Sequence, residues 1–544
     1  MKRLLLLSLT LALVSCAGPS TTRSSSGSTV PLSRDQELVE RALRALGGAD
    51  ALRGLRGASI KGTVKQWEPE QSHAPGGEAR FAAEATFDTT HDFVNNVSRT
   101  DWVKKFAYPA PRTFTYTEVV TPDAGAVIGI DSNGRTRASL ANKPPMHAMS
   151  GLRLATTQRE LRRASPALLL EMHNNPGRVM RRGNVEIGGV TYPALSYSAG
   201  AHNFVVLFDP ATGLPARVRT LDFDNIWGDV DFDLVLSDWQ PIGTGGGARL
   251  AMSQRYELNG RTVADMRITQ VTPNPAINPA GMAIPANLRA AASRPAVGNI
   301  PYQWVIRRQF IGTYLDSEHP SFDAQVTQTL RMQELAPGVQ HIVGGSHNAL
   351  VVEMRDHLIV FDAPVNDWQS NWTIRTAQAR YANKPVRYLV LTHHHMDHAG
   401  GLRAYLAQGA TLVVGRGATA HYRKVLASPA TRNPDVAPRD YSKVNIIEVS
   451  DRYTMSDGKR EVSAHLTENP HVEGMLIGYV ADARLGFVTD IWSPGAAPLP
   501  DQINSPLAAV VNAARRAGIQ PLRFAGGHGS TGDYAPLAGL AGHR

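Results

Sequence analysis

The sequence predicts an α/β protein in two unlike halves: a mainly antiparallel β domain, then a half in which buried strands feed helices. Three observations carry this. Up to residue 272, short runs alternate apolar with polar side chains between turn residues, the pattern of strands with one wet face. Beyond residue 301, apolar runs such as 388–391 lead into helical stretches such as 402–407. Histidine is also unevenly shared, with five of 18 before residue 301 and 13 after it.

Taken in order, the chain opens with a short basic segment, Met1-Lys2-Arg3. Residues 4–14 are nearly all apolar but only eleven long. A membrane-spanning helix needs about 20 residues, whereas a signal-peptide core has this length. The stretch ends Leu13-Val14-Ser15-Cys16-Ala17, which resembles a bacterial lipobox. The resemblance implies a signal peptide over 1–15, a lipid on the sulfur of Cys16, and a periplasmic lipoprotein that Ala17 directs to the outer membrane. Residues 16–32, rich in Ser, Thr and Gly, read as a flexible tether. Cys16 is the single cysteine in 544 residues, so intramolecular disulfides, Cys-rich zinc clusters and iron–sulfur sites are excluded.

The first domain is expected over 33–272. A helix is predicted at 35–47, and strands at 59–66, 80–87, 114–120, 203–208, 230–236 and 249–258. A helical stretch at 157–174 interrupts them. The turn signals Asn133-Gly134 and Asn259-Gly260 suit hairpins. The expected form is a large antiparallel sheet, a half-open barrel. Asp222, Asp224, Asp229, Asp231 and Asp233 make an acidic run. Alternation puts Asp229, Asp231 and Asp233 on one side of a strand. That run is read as a solvated face, with a calcium site as the alternative. Proline-rich 273–300 reads as the linker to the second domain at 301–544.

The formal net charge is +9, with +7 in the first 300 residues and +2 in the rest. No dense Lys/Arg run exists, so nucleic acid is not an expected partner.

Function is carried by 386–401. Strand residues up to Leu391 run into Thr392 and then His393-His394-His395-Met396-Asp397-His398. Imidazole and carboxylate suit Zn²⁺. In an extended segment i and i+2 point the same way, so His393 and His395 share an ion. Asp397 and His398 begin a second site beside it. Gly400-Gly401 read as a tight turn into the helix at 402–407.

This arrangement resembles the metallo-β-lactamase superfamily of binuclear metallohydrolases, and further motifs follow over 305–544 in that family's order. Gly344-Gly345-Ser346-His347-Asn348 and 358–364 look like the opening hairpin with its structural Asp362. His471 matches the third metal motif, Asp490 the bridging carboxylate and His528 the final ligand. The resemblance implies an αββα sandwich and an enzyme with two Zn²⁺; Fe and Mn suit the same donors. The metal ligands are then His393, His395, Asp397, His398, His471, Asp490 and His528, with Asp397 also the catalytic residue. Asp at 490 also sets the chain apart from the β-lactamases that use Cys there.

The third motif departs from the usual pattern, with Pro470 and Val472 flanking the His, and His465 is the rival ligand. His394 is read as pointing away from the first ion. His421 is read as a helix-surface residue, and it and His347 are also weighed as pocket-flanking. The implied reaction is hydrolysis of an ester-type bond (thioester, lactone, phosphodiester or sulfate ester) in a small-molecule substrate by a metal-bound hydroxide. The competing readings are an iron-binding oxidoreductase similar to sulfur dioxygenases and a non-catalytic metal-binding surface lipoprotein.

Overall fold

The computed structural model describes residues 33–132, 145–243, 247–298, 300–311, 329–345, 347–437 and 439–542. Cys16, the signal segment, the tether and the turn at Asn133-Gly134 lie outside the described residues. No helix among the described residues is long and apolar enough to cross a membrane.

The first half is an open, thirteen-stranded antiparallel sheet. From Gly57–Glu68 at its middle, successive strands step outward to Met146–Ala148 at one edge. Helices Gly151–Ala164 and Ala167–Asn174 carry the chain to the other edge. The strands from Val179–Ile187 onward then step back, until Arg261–Pro273 pairs with Gly57–Glu68, Val64 opposite Met266. The strands foreseen by alternation are all present. The helix expected over 157–174 is two helices, because Pro166 has no N–H to continue the ladder and disfavours helical backbone at Ser165. Helix Arg34–Ala45 starts where Ser33 and Gln36 form a capping box.

The acidic run is neither a solvated face nor a cation site. Asp222 pairs with Arg159 and Asp233 with Arg217 and Arg219, all with little exposure, and Asp231 pairs with Arg219. Asp229 accepts from Thr431 Oγ1 and from the Arg432 N–H in the second half. Alternation reported which aspartates share a face but not that arginines cover it.

The second half is an αββα sandwich. Its first sheet has seven strands from Arg331–Ala336 to Ile446–Val449, and its second has six from Arg452–Ser456 to Thr531–Asp533. Leu350, Ile359, Phe361 and Val413 on one inner face meet Val462, Leu476, Phe487 and Ala525 on the other. Helices Asp367–Arg380, Leu402–Ala407 and Thr419–Ala427 cover the outside of the first sheet. Ser505–Arg516 and Tyr534–Leu540 cover the second. Helix Ser505–Arg516 is capped by Asn504, whose side chain accepts from the Leu507 N–H, with Pro506 in its first turn.

The two halves are joined through buried polar groups. Helix Tyr302–Ile311 lies against the thirteen-stranded sheet, where Arg307, 1% exposed, meets Glu68, Glu70 and Asp224 at 2.5, 2.6 and 2.7 Å. Burial pushes Glu70 well above the usual carboxyl range despite Arg307. Arg403 donates to the carbonyl of Ile226 at 2.5 Å and Asn225 to that of Val365 at 2.8 Å. His421 is no helix-surface residue: its ring sits edge-on to Trp227 of the first half, at 5.6 Å between centroids.

Removing Arg307 leaves buried carboxylates without their counter-charge. Arg307→Met should therefore cost about 3–5 kcal/mol, read as a lower urea midpoint. An unchanged midpoint would show that the cluster does not join the halves.

Candidate metal centre

The predicted ligands come from four strand-to-loop junctions at one end of the sandwich. Strand Val386–Val390 delivers His393, and His395 is the N-cap of the one-turn helix Met396–Ala399, which carries Asp397 and His398. His471 lies in the turn between strands Glu461–Leu466 and Leu476–Val480. Asp490 follows strand Leu485–Val488, and His528 follows Arg523–Gly526. Among the described residues these side chains form three overlapping groups, with ligand atoms in each within 4.8 Å: His393, His395 and His471; His393, His398 and Asp490; and Asp397, His398 and His528 together with His347.

Local backbone reflects this crowding. Asp362, Val365 and Asp490 have φ of 63°, 64° and 54°, a region costly for side chains and for a β-branched valine above all. Gly400 and Gly401 make the turn between two helices with ordinary negative φ, so glycine is needed there for space and not for left-handed backbone. A Cβ on Gly400 would lie 2.1 Å from the Val365 carbonyl oxygen, and one on Gly401 2.1 Å from Ser370 Oγ.

The donor set fits metal ions. Nε2 of His393 and Nε2 of His471 are buried without a hydrogen-bond partner, 3.2 and 3.7 Å from Oδ2 of Asp490. Nε2 of His398 and of His528 face each other at 3.2 Å. Such crowded lone pairs are reconciled by a cation. His395 donates from Nε2 to the Ser72 carbonyl at 3.0 Å. Burial lowers its pKa to about 3, so it is neutral with its lone pair on Nδ1. Burial and the neighbouring imidazoles likewise hold His393 well below the usual range.

His398 behaves differently. Burial alone would lower it, but Asp490 and Asp362 raise it well above the usual value. Its Nδ1 lies 3.0 Å from Asp362 Oδ2, which also accepts from Thr392 Oγ1 at 3.0 Å. Asp362 is thus placed to orient His398, as a carboxylate does behind a metal-binding imidazole. Burial would raise Asp397, but the hydrogen bond from His347 and the charge of His398 hold it well below the carboxylate range.

His465 sits inside strand Glu461–Leu466 with Nε2 2.8 Å from Ser463 Oγ, in none of the three groups. His394 turns away from the first group and donates to the Ser72 carbonyl at 2.9 Å.

Sequence patterns gave no sign of the first half's share of this centre. The turn after strand Gly57–Glu68 reaches across, so that Gln71 Nε2 donates to Asp397 Oδ1 at 2.9 Å while Tyr108 donates to Gln71 Oε1. His73 Nδ1 and Arg80 donate to the His471 carbonyl at 3.2 and 3.3 Å. Arg80 stacks over the Tyr108 ring at 4.7 Å. These residues lie at least 285 positions from His393, and nothing in their spacing marks them.

Asp362→Asn should weaken metal binding about 10–100-fold with little change in circular dichroism. Unaltered affinity in a zinc titration would remove Asp362 from the orienting role.

Residues 342–531 match the model of the metallo-beta-lactamase superfamily. No curated protein matches the chain. Among solved structures, the chain is similar to a metallo-beta-lactamase from Pontibacter korlensis, at 16% identity and TM-score 0.30 over 40% of this chain and 100% of that one. A metallo beta lactamase from Hirschia baltica matches at 18% identity and TM-score 0.31, over 39% of this chain and 96% of that one. The flavodiiron protein from Giardia intestinalis matches at 19% and 0.29, over 39% and 57%.

Proposed function

Residues 342–531 belong to the metallo-β-lactamase superfamily, and from that premise we propose that the chain is a binuclear zinc hydrolase of an ester-type bond: a thioester, lactone, phosphodiester or sulfate ester. The observation that carries this reading is the pair of adjoining ligand groups, with Asp490 within reach of His393, His398 and His528. His393, His395 and His471 would hold one ion, Asp397, His398 and His528 the other, with Asp490 common to both. When bound, the ions supply Lewis acidity and an activated water.

Asp397 orients the attacking water and receives its proton. The water oxygen bonds to the carbonyl, phosphoryl or sulfuryl centre as the bond to the leaving oxygen or sulfur breaks, and the proton passes from Asp397 to the leaving atom. The hydrogen bond from Gln71 to Oδ1 fixes the plane of that carboxylate. Arg80 and Tyr108 border the centre from the first half; a guanidinium there supports substrates with an anionic group, as phosphodiesters and sulfate esters have.

Purified full chain should contain zinc and turn over one ester class in a panel that also includes β-lactams. Asp490→Ala should lose at least about 100-fold in kcat/KM, since it removes a ligand and not merely a ligand's support. Full activity in Asp490→Ala overturns the reading. Metal without turnover supports a binding lipoprotein, and iron with oxygen uptake but no hydrolysis supports an oxidoreductase.

The lipobox resemblance at Cys16 supports a periplasmic enzyme tethered to the outer membrane. Wild-type protein expressed in a Gram-negative host should partition with membranes and Cys16→Ala should not; equal partitioning of the two would remove the anchor.

A further inference from the structure

We propose that His347 is a further protein ligand of the second metal site, beside Asp397, His398, His528 and the shared Asp490. This assignment rests on the binuclear reading above and gives its two sites different roles. His347 follows strand Val339–Val343 and belongs to none of the ligand motifs. Its side chain is buried, 8% exposed, with Nε2 3.2 Å from Asp397 Oδ2. Its ring stands edge-on to His528 and His398, at 4.5 and 5.2 Å between centroids. One ligand atom from each of His347, Asp397, His398 and His528 lies within 4.8 Å of all the others.

The segment is built to hold that position. The Gln369 side chain donates to the His347 carbonyl at 3.1 Å. The next residue, Asn348, donates from its backbone to the Gly527 carbonyl at 2.8 Å and from its side chain to the carbonyls of Gly526 and Gly529 at 2.9 and 3.0 Å. His347 is thereby clamped to the loop that carries His528, so the two imidazoles approach the site as one unit. Orientation of this kind is what supporting hydrogen bonds give to metal ligands.

The consequence is an asymmetric centre. Besides Asp490, which both ions would share, His347, Asp397, His398 and His528 give the second ion four ligands of its own while the first has three, and the less complete protein ligand set is the one that leaves a position for water or substrate. His393, His395 and His471 therefore form the open, reacting site. The site of His347, Asp397, His398 and His528 retains its ion and fixes the Asp397 carboxylate.

Zinc per chain and its rate of loss to EDTA test this in the purified full chain. Wild type should hold two zinc ions, one lost quickly and one at least about tenfold more slowly. In His347→Ala and His347→Gln the slow phase should disappear, with an unchanged thermal midpoint for the metal-free proteins. Glutamine reaches as far as histidine and keeps an N–H donor to Asp397, but its neutral amide is a poor zinc ligand. Retention of the slow phase in His347→Gln would overturn the assignment and leave His347 as a hydrogen-bond donor. Retention in both variants would overturn it outright. Wild type with fewer than two zinc ions would overturn the binuclear reading itself, and this assignment with it.

Discussion

The buried guanidinium of Arg307, facing Glu68, Glu70 and Asp224, ties together the segments on which the metal centre's surroundings depend. A charge withdrawn from water must be paired where it lies. The end of a strand, the turn after it and the loop before Trp227 are therefore held at one point. Gln71 and Ser72 come directly after Glu70, so anchoring the turn also aims Gln71 at Asp397 and the Ser72 carbonyl at His394 and His395. Asn225 and Ile226, directly after Asp224, reach Asn225 to the Val365 carbonyl and the Ile226 carbonyl to Arg403. The first half is thus part of the wall around the centre.

The centre itself depends on a rigid frame. Asp362, Val365 and Asp490 hold positive φ, at about 1–3 kcal/mol each. Such conformations persist when the surroundings over-determine them. Here the two packed sheets do so: Asp362 directly follows Phe361, and Asp490 comes two residues after Val488, both strand ends being fully buried. With the junctions held, the crowded imidazole and carboxylate lone pairs stay aimed at common points. That is the preorganisation a metal site requires.

Legibility followed the range of the interactions. His393, His395, Asp397 and His398 could be read because their geometry is local, set by a strand end and one helical turn. His471, Asp490 and His528 could be read through their order along a chain similar to a known family, and the structure brings them to the same place. The break at Pro166 was open to reading from the residue itself. The fate of the aspartates was not, because alternation assigns a face and says nothing of what covers it. His421 was misread as surface for the same reason: Trp227 lies almost 200 positions away.

By itself, the sequence determined the α/β class, the antiparallel first sheet and seven candidate ligand positions that the structure brings together, because periodicity and motif spacing encode what a residue's near neighbours do. Only the tertiary structure decided that Gln71, Tyr108 and Arg80 border the centre, that His347 joins Asp397, His398 and His528, and that arginines pair with four of the five aspartates of the acidic run. Those outcomes rest on side chains meeting across long sequence separations, and contacts of that kind exist only once the sheets have packed and the buried charges have found their partners.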